Sequence, residues 1–310
     1  FLSPFSFFFA LTGSFFGFKG ATLFFQERVL GEELVRGYAV GGSLGKFAIK
    51  RFLSSLISIT IVAAVAIFLE VIHGRSIINT VTDFLTFNPG YSSYFGVSVM
   101  SLILTSLAYT SLLIGLSFPI SVYLSAFLVI YGLKGGKLRS VVEKWKYVGS
   151  ALASWVFAMV IIYLLHFFTN LLPYGVPRGN VLPYLVMPLI SLFFPFVGIL
   201  ANKVLMSVQV PKSSFKGLDE RVLVYRHALG SAVVVMLSAM SSAFTEMLMA
   251  ELLVEGIFLW PGFGELLKLA VFNGDYKVVE AAMLTYSTLA VLSNFVTDLV
   301  YGALDPRVTR

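Results

Sequence analysis

Apolar positions in this chain gather into runs too long for the one-sided stripe of a surface helix, and the charged positions collect in the gaps between them. About 20 apolar residues carry a helix across the hydrocarbon core of a bilayer. Residues 52–72 form the first such run, with Lys50 and Arg51 before it and Glu70 at its far end. After Asp83 no charge occurs until Lys134, so 97–133 reads as one long helix, kinked near Pro119 and projecting into water. Uncharged spans follow at 147–169 and 181–201. A fifth starts at Ala228, stays uncharged to Thr245, and then carries Glu246, Glu251 and Glu255; a sixth covers 281–304 and contains Asp298. The pattern predicts an all-α polytopic membrane protein with six spans.

Composition strengthens that reading. Hydrophobic residues make up 58% of the chain and charged residues 12%, against about a quarter charged in soluble domains. Cysteine is absent, which excludes disulfides and thiolate metal sites. His73, His166 and His227 stand far apart, so no metal site is expected. No nucleophile and base stand in a recognisable motif around His73 or His166, and the chain is read as a non-enzyme with no catalytic residues. The net charge of +6 is explained by topology.

Short loops rich in Lys and Arg face the cytoplasm. With the segment before residue 52 inside, that side holds Lys46, Lys50, Arg51, Lys134, Lys137, Arg139, Lys144, Lys146, Lys203, Lys212, Lys216, Arg221, Arg226, Arg307 and Arg310. The other side holds Arg75, Arg178, Lys268 and Lys277. The six-span unit is therefore expected in the plasma (inner) membrane with both ends cytoplasmic, and a nucleic-acid partner is not expected.

Residues 1–45 stand apart. The uncharged stretch from Phe1 to Phe18 is rich in Phe, Ser and Gly and suits either a seventh crossing or an interfacial helix. It lacks the basic n-region of a cleaved signal peptide, and 26–45 reads as a polar connector. Residues 46–310 form the main domain. Its longest cytoplasmic loop, 203–229, mixes basic residues with Val, Leu and Phe; Gly217 permits a turn and Asp219 suits a helix cap.

Two further features carry chemistry. Residues 254–267, VEGIFLWPGFGELL, set Glu255, Phe258, Trp260, Pro261, Gly262 and Gly264 directly after an apolar span. Pro261 ends the helix and the glycines reverse the chain, while Phe258 and Trp260 suit the interfacial aromatic belt. An amphipathic helix is expected over 265–272. The second feature is the intramembrane acids, which normally face a cavity or a partner. Glu251 and Glu255 lie four apart on one helical face, with Glu246 displaced around the helix. Asp298 suits a structural hydrogen bond near the cytoplasmic end of its span.

Taken together, the loop FKGLDERVLVYRHAL, the Glu255–Gly264 segment, Asp275-Tyr276 and the ending Asn294, Asp298, Tyr301, Asp305, Pro306, Arg307 resemble permease subunits of ATP-binding-cassette importers of the dipeptide, oligopeptide and nickel class. The likeness is one of order and spacing over roughly 180–310, with helix placement alone back to residue 46. Pro211 and Ser213-Ser214 depart from the family's loop, its Asn and Pro after Arg-His-Ala-Leu are missing, and Glu246 and Glu251 are unusual in it.

The resemblance implies a type I importer permease fold and a path for peptides or similar small solutes. It implies four kinds of partner: a second homologous permease, two ATPase subunits holding ATP and Mg, an extracytoplasmic binding protein, and the lipid bilayer. No cofactor is expected in this chain, which has no phosphate-binding loop of its own. Val208, Phe215, Gly217, Leu218, Arg221 and His227 would couple to an ATPase. Trp260, Pro261, Gly262 and Gly264 would form part of an external gate; Glu251, Glu255 and Asp298, read from their own positions within the spans and not from the family, are the candidates for the translocation path. Intramembrane acids equally mark proton-coupled secondary transporters, and that alternative stands beside the importer, although no inverted repeat is evident.

Overall fold

Apolar runs of this length leave the backbone no partner but itself in hydrocarbon, so helices form. The computed structural model describes residues 44–72, 82, 89–134, 144, 145, 147–149, 151–207 and 229–304. Its helices are α1 (Leu44–Ile72), α2 (Val99–Lys134), α3 (Ser154–Ile161) continued by a π-helical segment (Ile162–Phe168), α4 (Leu182–Ser207), α5 (Leu229–Phe258), α6 (Phe263–Phe272) and α7 (Tyr276–Leu304). Among the described residues, 99–130 of α2, 182–206 of α4 and 276–296 of α7 are long and apolar enough to cross a membrane. Helices α1 and α5 have 29 and 30 residues.

The expected helix over 97–133 is present as α2, whose 36 residues run through Pro119 and extend roughly 54 Å at about 1.5 Å per residue. Expectation and structure differ at 147–169. The chain is helical at 147–149, leaves helical geometry at Leu152 and Ala153, and resumes as α3. Gly149 lies against α4 so closely that a Cβ there would stand 2.7 Å from the Gly198 Cα. The span then loosens into the π segment, where the Thr169 amide donates to the Leu164 carbonyl at 3.1 Å. The short helix expected over 265–272 starts two residues earlier.

Side chains are sorted by size and polarity in the manner of a membrane bundle. Phe68, Leu104, Phe127 and Tyr163 are exposed, whereas Ser106, Thr110, Ser117, Ser121 and Ser125 of α2 are buried. Small polar residues let helix backbones approach, and large apolar ones suit lipid. Helix α2 packs along α4, α4 along α5, and α7 against α1, with the Phe52 and Phe295 rings edge to face at 5.9 Å. Helix α6 folds back against α5, α7 and α2. Val99, Ile103, Leu248, Phe263, Ala270 and Val278 form the apolar cluster there.

Candidate functional site

Helix α5 must dispose of its last carbonyls. Leu259 takes a left-handed φ of 56°, which brings the Trp260 amide back to the Glu255 carbonyl at 3.0 Å, the bond that defines a Schellman ending. Two side chains from elsewhere accept the next duties. Lys268 Nζ donates to the Gly256 carbonyl at 2.8 Å, and the Tyr174 hydroxyl to the Ile257 carbonyl at 2.9 Å. The end of α5 is thus tied both to α6 and to the loop after the π segment.

Helix α6 has the opposite need, free amides at its start. The Phe263 amide donates to Thr110 Oγ1 at 3.0 Å and the Gly264 amide to Glu255 Oε2 at 2.8 Å. Thr110 in turn donates its own proton to Glu255 Oε1 at 2.7 Å. One hydroxyl and one carboxylate, from α2 and α5, therefore cap a third helix. A carboxylate at a helix N-terminus also meets the positive end of the macrodipole.

The two glycines make this closure possible. A Cβ on Gly262 would stand 1.9 Å from Glu255 Oε1, and one on Gly264 would stand 2.0 Å from the Leu252 carbonyl oxygen. Neither position has room for a side chain while the turn is seated. Within α6, Lys268 forms an ion pair with Glu265 at 2.5 Å. Burial pushes the Glu265 carboxyl above its ordinary value, while the hydrogen bond and charge of Lys268 draw it back down.

Glu251, one turn before Glu255, is wholly buried, and neither of its oxygens has a hydrogen-bond partner. Both acids share the inward face of α5, as their spacing predicts. Glu246 points elsewhere, to Lys203 of α4 at 2.9 Å. Asp275, between α6 and α7, pins the turn before α2 by accepting from the Ser92 hydroxyl at 2.5 Å and the Tyr94 amide at 3.1 Å.

One expectation is overturned. Phe258 and Trp260 do not face outward, as residues of an aromatic belt would: they are 3% and 1% exposed. Trp260 Nε1 donates to the Tyr109 carbonyl at 3.2 Å, and the two rings meet edge to face at 5.5 Å. The left-handed residue before Trp260 turns the indole inward, where burial of its large apolar surface outweighs the one N–H that must be satisfied.

The structure brings together Glu251, Glu255, Trp260, Gly262 and Gly264, with Pro261 in the same turn. Asp298 lies in α7, away from them along the chain, and its side chain is outside the described residues. Val208, Phe215, Gly217, Leu218, Arg221 and His227 also lie outside the described residues, as do 1–43. Sequence reasoning missed Thr110, Tyr174, Lys268 and Ser92. A lone Thr or Ser in an apolar helix gives no signal, since most bond their own backbone. Among the described residues no group of three His, Asp or Glu could hold a metal.

Residues 123–310 match the model of the binding-protein-dependent transport system inner membrane component family. The chain belongs to that family. It is a permease subunit with the type I fold of ATP-binding-cassette importers, and the residues of the turn and its hydrogen-bond partners lie within the matched region except for Thr110, Ser92 and Tyr109. The oligopeptide transport system permease protein OppB of Haemophilus influenzae is 28% identical over 216 residues, covering 63% of this chain and 71% of that one. OppB of Escherichia coli K12 is 29% identical with the same coverage. The probable peptide transporter permease y4tP of Sinorhizobium fredii is 28% identical over 245 residues, covering 73% of this chain and 77% of its own.

Proposed function

We propose that this permease is one of two membrane subunits of an ATP-driven peptide importer. A binding protein delivers cargo on the Trp260 side, and two ATPase subunits, carrying ATP and Mg, act on the loop 203–229 at the opposite side. Both ends of the six-span unit then face the cytoplasm, as the distribution of Lys and Arg supports. The names of the relatives support peptide as the cargo class.

The observation that carries the reading is the capped turn: Glu255, Thr110 and Gly264 seat Pro261–Phe263 on the end of α5 with neutral donors. A closure of this kind separates without pulling an ion pair apart, which suits a gate that must open in each cycle. Trp260, Pro261, Gly262 and Gly264 form that gate. Glu251 and Glu255 line the path beneath it, and Asp298 braces α7.

On the opposite side Gly217 supplies a turn, Val208, Phe215 and Leu218 supply apolar contact, and Arg221 pairs with an ATPase carboxylate, with His227 at the base. The ATPases would move α4 and α5, which bracket this loop, as rigid bodies.

Gentle purification tests the assembly. The complex should contain a second permease and an ATPase pair, and Gly217→Trp should leave ATP hydrolysis intact while abolishing coupled uptake. A self-sufficient chain driven by a pH gradient would return the secondary-transporter reading, which its buried acids alone do not favour.

A further inference from the structure

Among the described residues, Glu251 is the buried acid that has no hydrogen-bond partner on either oxygen. Its neighbour Glu255 is engaged on both oxygens, Asp275 through one, and Glu265 is paired with Lys268. An ionised carboxylate held away from water costs several kcal/mol unless something positive or a strong donor meets it. Three donors of the surrounding helices are already committed. The Tyr286 hydroxyl is donated to the Leu248 carbonyl, Thr110 to Glu255, and Lys268 to Gly256 and Glu265.

A second unpartnered group stands on α2. Ser117, two turns beyond Thr110 on the same face, is fully buried, and its hydroxyl has no partner. Helix α2 packs on both α4 and α5, and the structure gives neither Ser117 nor Glu251 a hydrogen-bond partner. With the Gly264 amide withdrawn from Glu255, Glu255 and Glu251, about 6 Å apart along the helix axis, would present free oxygens on one face.

We propose that Glu251, with Glu255 one turn away, is a recognition site for an alkylammonium group of the cargo. The proposal rests on the peptide-importer reading and deepens it. An ammonium has three donors and no acceptor, matching two carboxylates with free lone pairs, and its hydrogen bonds to them are charge-assisted. A metal ion fits less well, because no third acid or histidine completes a cluster among the described residues. The ammonium has two sources, the N-terminus of a peptide or a lysine side chain.

The test uses the complete transporter with its ATPases and receptor in proteoliposomes. Three probes are compared: tetra-alanine, N-acetyl-tetra-alanine, and an N-acetylated tetrapeptide with one lysine. Each rate for Glu251→Gln is divided by the wild-type rate for the same peptide, so the receptor's own preference cancels. Tetra-alanine uptake should fall about tenfold, the effect of losing about 1.4 kcal/mol of recognition, while the ratio for N-acetyl-tetra-alanine stays near one. The lysine probe falls with tetra-alanine if a side-chain ammonium also serves, and is unchanged if only the N-terminus does.

Glu251→Asp, which keeps the charge but withdraws it, should give a smaller selective loss and provides the readout if glutamine is not tolerated. Equal losses for all three peptides, or no loss, overturn the proposal. A wild-type complex that moves no peptide with ATP overturns the importer reading itself.

Discussion

Thr110 is a single hydroxyl that serves two helices, accepting from Phe263 and donating to Glu255. Thr110→Val keeps the shape and leaves a buried amide and a carboxylate oxygen without partners, so about 1–3 kcal/mol of stability should be lost, read as a lowered unfolding temperature of the detergent-solubilised protein. Thr110→Ser should recover most of it. The glycines behave differently from one another. A methyl at Gly262 meets the end of the Glu255 side chain, which can swing aside, whereas a methyl at Gly264 meets the backbone carbonyl of Leu252. Gly264→Ala should therefore be the more damaging, with α6 displaced; overpacking of this kind costs about 1–3 kcal/mol. Equal stability of the two alanine variants would show that the turn is not seated as described. At this scale the sequence was only half legible. Glu255, Gly262 and Gly264 announce themselves as polar or flexible residues after an apolar run. Thr110 does not, because its partners lie 145 and 153 positions away and nothing local marks it.

Helices α5 and α6 end with the same hydrogen-bond pattern but different residues at the left-handed position. For α6 it is Gly274, with φ 67°, and the Asp275 amide returns to the Ala270 carbonyl at 2.9 Å. For α5 it is Leu259, a residue for which left-handed geometry costs about 1–2 kcal/mol. Leu259→Gly should accordingly be tolerated, and the β-branched Leu259→Val should lower thermal stability and loosen the Trp260 turn, checked by the rise in accessibility of Trp260 to a fluorescence quencher. No change in either readout would count against the strained ending. Helix existence was readable from hydropathy among the described residues, since long apolar runs leave little choice in lipid. The break at Leu152–Ala153 was not readable, because it lies beside a contact between distant parts of the chain, Gly149 against Gly198; nothing in the hydropathy of 162–168 marks the π segment either. The inward turn of Trp260 was hidden for a similar reason. An aromatic at the end of an apolar run suits an interface until the conformation of Leu259 is known.

At the scale of the whole molecule, the fold class and the family were both legible, the first from composition and the second from the spacing of several weak motifs along one chain. What the fold adds is a division of labour among acids that look alike in sequence. Glu246 joins two helices through Lys203, Glu255 caps a third helix, and Glu251 stands without a partner. In the proposed importer this bundle is moved by ATP hydrolysed on separate subunits. Uptake of a labelled peptide into proteoliposomes holding the assembled complex and its receptor measures that directly. Accumulation should require ATP and vanish when the partner ATPases cannot hydrolyse it. Accumulation by this chain alone, driven by an imposed pH gradient without nucleotide, would show a proton-coupled carrier and not an ATP-driven importer.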